Sequence, residues 1–126
     1  MIESGRNLVV VVEDDEENQL AISMALEMEG YEVMTAANGA EALELLPEVA
    51  DRCVLVLLDL TMPIMSGYEF RERQRRDERL AHIPVVLLSA GEGLRGKADD
   101  MHLAGCVAKP VSLDDLLAAV ATHRRA

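Results

Sequence analysis

Acidic, hydroxyl and ammonium side chains each follow a short apolar run of this sequence. They are Glu13 and Asp14 after the first run, Asp59 after a later one, and Ser89 and Lys109 after two more. Clustered carboxylates repel one another unless a cation joins them, and a few oxygen ligands suit Mg²⁺, which shares its coordination shell with phosphate. A cationic lysine cannot be a further metal ligand, but it can pair with an anion to which a hydroxyl also donates. The set therefore predicts a phosphoryl site with a metal, an acceptor carboxylate and two donors, since an aspartate that forms an acyl phosphate is established chemistry.

Each of these features also has an ordinary structural explanation. Acidic clusters after strands often cap helices or lie in solvated loops, and a serine after a strand is most often a cap or turn residue. A single lysine is usually a surface residue. A shared site is the better interpretation only if the fold brings the ends of the four apolar runs together.

Five apolar runs alternate with helical patterns along the chain. The runs with strand character are residues 8–12, 31–36, 53–58, 84–88 and 106–108. Helices are predicted over residues 18–29, from a cap at Asn38 to about Pro47, from a cap at Ser66 through residue 76, weakly within 91–105, and after a cap at Ser112. This alternation predicts an α/β fold, a flavodoxin-like doubly wound parallel sheet in the order 2-1-3-4-5 with five helices. In that order the first and third strands are neighbours, and ligands bind beyond the carboxyl ends of the strands, where the candidate residues lie.

The apolar spacing within the helices predicts which faces meet the sheet. In the first helix the set at a four-residue spacing is Leu20, Met24 and Met28, with Ala21 and Ala25 beside it. In the last helix the corresponding set is Leu113, Leu116, Leu117 and Val120. We expect both sets to face the sheet.

Composition excludes several classes of protein. The net charge of −11 argues against direct binding of nucleic acid. No apolar run approaches the roughly 20 residues that span a bilayer, and the first residues lack a signal-peptide pattern, so we expect a cytoplasmic protein with no membrane partner. The length predicts one domain over residues 1–126 with a core of about 8–124. Cys53 and Cys106 are expected to be unpaired, because two strand spacings would separate them by roughly 10 Å.

Four motifs carry a resemblance to a known family. They are Val11-Val12-Glu13-Asp14-Asp15, Leu57-Leu58-Asp59-Leu60-Thr61-Met62-Pro63 with Gly67 after it, Val86-Leu87-Leu88-Ser89-Ala90, and Val107-Ala108-Lys109-Pro110. In this order they resemble the receiver domains of two-component response regulators, and the likeness runs from about Leu8 to Arg124. The resemblance implies a switch that accepts a phosphoryl group in a His-Asp phosphorelay. It also implies that the domain is not an enzyme beyond self-phosphorylation from small donors and autodephosphorylation.

The resemblance implies a role for each site residue. Asp59 would be the phosphoacceptor and a ligand of Mg²⁺ or Mn²⁺. Asp14 would bind the ion directly, Glu13 through water, and Thr61 through its main-chain carbonyl. Asp15 lies one residue beyond the acidic pair, and we expect it to lie outside the metal shell.

The second half of the resemblance concerns the switch and its partners. Ser89 would be the hydroxyl that turns toward the phosphoryl group, and Lys109 would pair with a phosphoryl oxygen. The peptide bond between Lys109 and Pro110 would be cis, as it often is in relatives. The phosphodonor would be a sensor histidine kinase or a histidine phosphotransfer protein, and a further protein of unknown identity would read the switch. One position departs from the family pattern, because Cys106 stands where relatives usually carry an aromatic residue.

Two other interpretations remain open at this point. An aspartyl-phosphate phosphatase would also use an Asp nucleophile and Mg²⁺, but it needs a second Asp two residues later, where this chain has Thr61. A receiver-like module that binds partners without phosphorylation is the stronger alternative, because of Cys106. Incubation with a small phosphodonor and Mg²⁺, followed by measurement of the intact mass, distinguishes a phosphoacceptor from a module that works without phosphorylation. The sequence alone does not separate a stand-alone protein from a piece of a longer regulator or hybrid kinase.

Overall fold

The computed structural model describes residues 7–59, 65–89, 94–109 and 111–125. Within these ranges five β-strands alternate with five α-helices. The strands are β1 (Leu8–Val12), β2 (Glu32–Ala36), β3 (Cys53–Asp59), β4 (Val85–Ser89) and β5 (Gly105–Ala108). The helices are α1 (Glu16–Met28), α2 (Gly39–Val49), α3 (Gly67–Arg76), α4 (Leu94–Asp100) and α5 (Leu113–His123).

The strands form one parallel sheet in the order β2-β1-β3-β4-β5. This confirms the predicted topology. Because every strand runs in the same direction, all five carboxyl ends lie along one edge of the sheet. The three central strands β1, β3 and β4 are buried along their whole length, as expected for continuous apolar runs covered on both faces.

The core is divided by the sheet into two clusters. On one face Val10 and Val12 pack with Leu46 of α2 and Phe70 of α3. On the other face Val9 and Val11 pack with Leu26 of α1 and with Leu116 and Val120 of α5. Alternate residues of β1 therefore serve opposite layers, which fixes the strand in place and with it the turn at its carboxyl end.

Helix ends follow the predicted caps, with one difference. The side chains of Asn38, Ser66 and Ser112 accept the expected backbone hydrogen bonds, and Pro47 lies near the end of α2. The first helix begins at Glu16 and not at Asn18, because the Asp15 carboxylate caps it by accepting from the backbone N–H groups two and three residues on. It ends before Gly30, whose φ of +94° requires glycine.

The predicted inward face of α1 is wrong except at Ala25, which is buried. Leu20, Met24 and Met28 are 62%, 54% and 84% exposed, whereas Ile22 and Leu26 are buried. The helix carries two overlapping apolar sets, and Ile22 and Leu26 belong to the one that packs with Val9 and Val11 of β1. In α5 Leu116 and Val120 are buried as predicted, but Leu113 is exposed.

Two further expectations concern the chain as a whole. Cys53 is buried, Cys106 is half-buried, and both are free thiols, as predicted. None of the helices in the described ranges is both long enough and apolar enough to cross a membrane.

Candidate functional site

The candidate site lies at the carboxyl edge of the sheet, where four strands end. Glu13 and Asp14 follow β1, Asp59 is the last residue of β3, Ser89 is the last residue of β4, and Lys109 follows β5. The register pairs Val12 with Leu58, Asp59 with Leu88, and Ser89 with Ala108. Neighbouring strands therefore end level with one another, and the residues that end them are side by side.

An ammonium group joins two of the acids. The Nζ atom of Lys109 lies 3.1 Å from Oε1 of Glu13 and 3.5 Å from Oδ2 of Asp59. Glu13 is almost fully buried and Asp59 is 6% exposed, while a quarter of the Lys109 side chain reaches solvent. Lys109 therefore offsets part of the negative charge of the cluster from the β5 side, and part of its side chain faces solvent.

The carboxylates of Glu13, Asp14 and Asp59 form a group that could hold a cation. One oxygen from each lies within 4.8 Å of the others, and Asp14 is the exposed member. Three oxygen donors and access from solvent fit a hard ion such as Mg²⁺, which keeps several waters. Thr61, the predicted main-chain ligand, lies outside the described residues.

The electrostatics of the site follow from burial. Burial raises the pKa of Glu13, the hydrogen bond from Lys109 and the Asp15 N–H oppose this, and the charge of Asp59 raises it further, so the net shift is upward. Burial lowers the pKa of Lys109, but the bond to Glu13 and the charge of Asp59 outweigh it and the net shift is upward. The lysine is therefore held in its cationic form, ready to pair with an added anion.

Ser89 lies beside this charged group. The residue is 7% exposed, and its main-chain oxygen accepts a 2.9 Å hydrogen bond from the N–H of Lys109. The backbone thus couples the hydroxyl-bearing residue directly to the lysine. The bond between Lys109 and Pro110, which we expected to be cis, involves Pro110, and this residue lies outside the described residues.

Cys106 lies next to β4, opposite Leu87 in the register. It is half-buried and packs against the core cluster on the α2 and α3 face. A thiol here fills much less volume than an aromatic ring. Cys106, which departs from the family pattern, is therefore a small side chain packed against the core. It is not a further reactive group of the acidic site.

Two residues that the sequence analysis did not assign to the site support it. The backbone N–H of Asp15 donates to Oε2 of Glu13 at 3.2 Å, in addition to the capping role of its side chain. Gln19 donates from Nε2 to the main-chain oxygen of Glu13 at 2.5 Å. A capping acid before the helix was a readable signal for Asp15, whereas nothing in the sequence distinguishes Gln19 from a surface residue.

A cleft of about 500 Å³ opens beside the cluster, between α1 and α5. Glu13 and Lys109 form its polar end, and Ile22, Val111 and Leu116 line its apolar wall. Glu13 and Lys109 therefore border a cleft that is partly apolar.

The chain is similar to known proteins over nearly its whole length. Residues 9–121 match the response regulator receiver domain. The polar-differentiation response regulator DivK of Brucella anthropi is 32% identical over 118 residues, which cover 91% of this chain and 94% of that protein. The chemotaxis protein CheY4 of Vibrio cholerae superposes with a TM-score of 0.83 at 27% identity, covering 94% of this chain and 98% of that chain. A response regulator receiver protein from Pseudomonas putida gives 0.82 at 30% identity, covering 95% and 99%.

Proposed function

Because this chain belongs to the response regulator receiver domain family, and so to two-component signalling, we propose that Asp59 is the residue that accepts the phosphoryl group. The observation that carries the assignment is the contact of Lys109 with both Asp59 and Glu13 at the carboxyl edge of the sheet. Asp59 ends β3, which lies between β1, the strand that precedes Glu13, and β4, the strand that ends at Ser89. Residues 1–126 act as one receiver domain in this proposal, with a core of about 8–124.

In the proposed transfer an oxygen of Asp59 attacks the phosphorus of a phosphohistidine. The new O–P bond forms as the N–P bond breaks, and the imidazole leaves. Lys109 offsets the negative charge on the transferring oxygens from the open side of the cluster. When bound, Mg²⁺ or Mn²⁺ held by Glu13, Asp14, Asp59 and the Thr61 carbonyl would supply the remaining charge stabilisation.

The same residues form the switch. Phosphorylation replaces the single negative charge of the Asp59 carboxylate by a phosphoryl group that carries about −1.5 to −2 charges. Lys109 then gains a stronger partner than the carboxylates it contacts before transfer, and Ser89 donates to the phosphoryl group from the adjacent strand. Because the Lys109 N–H bonds to the Ser89 main-chain oxygen, a shift at one residue is passed to the other.

Cys106 bears on how the switch is read. A ring that buries some 150 Å² would bring several kcal/mol to a rearrangement at about 25 cal/mol per Å², and a thiol brings much less. We expect the shift to be driven by Ser89 and Lys109 and to be largest over residues 90–105. Amide hydrogen exchange with and without beryllofluoride tests this, and a change centred on β5 with residues 90–105 unaltered would contradict it.

The proposal extends to partners and setting. The phosphodonor is a sensor histidine kinase or a histidine phosphotransfer protein, and a further protein reads the switch in the cytoplasm. The chain acts as a switch with no enzymatic turnover of its own beyond self-phosphorylation and autodephosphorylation.

The test is transfer from a small phosphodonor in the presence of Mg²⁺, followed by intact mass. The chain should gain one phosphoryl group, and Asp59→Asn should gain none while remaining folded. Asp51→Asn, an exposed aspartate at the opposite end of β3, is the matched control and should behave like the parent. A gain that persists in Asp59→Asn would overturn the assignment, and a parent chain that never gains mass would favour an interaction module that works without phosphorylation.

A further inference from the structure

Gln19 connects α1 to the end of the sheet. Its side-chain Nε2 donates to the main-chain oxygen of Glu13 at 2.5 Å and reaches that of Ala36 at 3.4 Å. Ala36 is the last residue of β2, and Glu13 is the first residue after β1. The amide therefore bridges the carboxyl ends of two neighbouring strands from the first turns of the helix.

The bridge lies where the chain leaves the sheet. The N–H of Glu13 still bonds to the Ala36 oxygen at 3.0 Å, which continues the β1–β2 pairing by one residue. The chain then turns and enters α1 at Glu16. Gln19 donates to the main-chain oxygen of Glu13, the same residue whose N–H makes this last pairing bond. It therefore fixes the peptide that links Glu13 to Asp14.

The Glu13 side chain is held separately. Its Oε2 accepts from the backbone N–H of Asp15 at 3.2 Å, and its Oε1 accepts from Lys109 at 3.1 Å. Asp15 is itself fixed as the cap of α1. The turn is thus restrained at three points, and Gln19 is the member that restrains the main chain from the helix side.

We propose that Gln19 is a positioning residue for the cation site. It acts through the Glu13–Asp14 peptide, whose orientation decides whether the carboxylates of Glu13 and Asp14 point toward Asp59. The inference rests on the proposed function, because it assumes that these carboxylates hold a divalent ion. Outer residues that orient ligands typically contribute 10- to 100-fold to metal affinity, and Gln19 belongs at the lower end because it acts through the backbone.

The test is the affinity for Mn²⁺ alone, measured from the electron paramagnetic resonance signal of the free ion, with Mg²⁺ as competitor. Gln19→Met keeps the length of the side chain and removes the N–H donor, and we expect it to weaken Mn²⁺ binding about 10-fold. Gln19→Ala gives a second variant with good helix propensity should the first not fold. Urea unfolding of each variant shows that the titrations are made on folded protein, because a purely structural role would lower stability and leave the affinity of the folded chain unchanged.

Ser23→Ala is the matched control. Ser23 lies one turn further along α1 and lines the same shallow cleft as Gln19, and its hydroxyl has no hydrogen-bond partner among the described residues. It should bind Mn²⁺ like the parent. Asp14→Ala separates the two proposals: if it abolishes binding and Gln19→Met does not weaken it, the role of Gln19 is refuted alone, whereas unchanged binding in Asp14→Ala would refute the cation site itself.

Discussion

The Lys109 ammonium and the Glu13 carboxylate lie 3.1 Å apart although 96 positions separate them in the sequence. The contact joins the turn after β1 to the turn after β5 across the carboxyl edge of the sheet. Because Glu13 is almost fully buried, its charge depends on that partner. The lysine proposed to receive the phosphoryl oxygen is therefore also the cation that stabilises the acids beforehand.

Lys109→Met should lower stability as well as phosphorylation. Losing one partner of a fully buried ion pair costs about 3–5 kcal/mol, and the quarter-exposed Lys109 side chain reduces the expected loss to about 1–2 kcal/mol. Urea unfolding at pH 7 without divalent ions measures it. Lys97→Met, at the other lysine of the chain, is the control. A variant as stable as the parent would show that Glu13 is neutral or otherwise compensated.

Asp14 and Asp15 should fail in different ways. Asp15→Ala removes the cap of α1 and should cost about 1 kcal/mol of stability, but it keeps the backbone N–H that bonds to Glu13. Asp14→Ala removes an exposed, proposed ligand, and it should abolish the rise in melting temperature that we expect Mg²⁺ to give the parent, since only a folded chain would bind the ion. Melting curves with and without Mg²⁺ measure both effects. Equal losses of the Mg²⁺ effect would mean that Asp15 belongs to the metal shell.

Cys53 should make the free energy of unfolding fall more steeply with pH in the alkaline range. Burial raises the pKa of its thiol from 9.0 to about 11. Between these values the unfolded chain loses the proton and the folded chain keeps it. The free energy of unfolding should therefore fall by about 1.4 kcal/mol per pH unit from this group, while its full contribution is present below pH 9.

The measurement for Cys53 is urea unfolding from pH 8 to 11 in the parent and in Cys53→Ala. The variant should show a shallower slope, and Cys106→Ala, which removes the half-buried thiol, should keep the slope of the parent. Comparing slopes removes the constant cost of the cavity left by the substitution. A parent-like slope in Cys53→Ala would rule out this contribution.

The exposed apolar residues of α1 should tolerate polar replacements. Met24→Gln and Met28→Gln should change the free energy of unfolding by less than about 0.5 kcal/mol, because neither side chain is in the core. Leu26→Ala, on the buried face of the same helix, should cost about 2–5 kcal/mol. Thermal or urea unfolding distinguishes the exposed positions from the buried one. A large loss of stability in Met24→Gln would mean that Met24 faces the sheet, as the spacing predicted.

The sequence by itself determined the elements and their order. Continuous apolar runs can be buried only in a sheet covered on both faces, and their alternation with helices leaves few parallel topologies. Since that topology places all carboxyl ends on one edge, the meeting of Glu13, Asp59 and Lys109 could be predicted without coordinates. Four caps or helix ends followed from residues with local hydrogen-bonding or backbone requirements, namely Asn38, Ser66, Ser112 and Gly30.

The tertiary structure decided whatever depends on rotation or on distant partners. In α1 two apolar sets fit a helical period, and only the packing against the sheet shows that Ile22 and Leu26 are buried in place of Leu20 and Met24. Arg71 begins a run of mixed charges, residues 71–79, that is typical of a solvated helix face, yet it donates to the main-chain oxygens of Met101 and His102. The Gln19 bridge is of the same kind. Periodicity records which residues are apolar along one element, but a side chain that bonds to another element's backbone leaves no mark in the sequence, because a carbonyl is present at every residue.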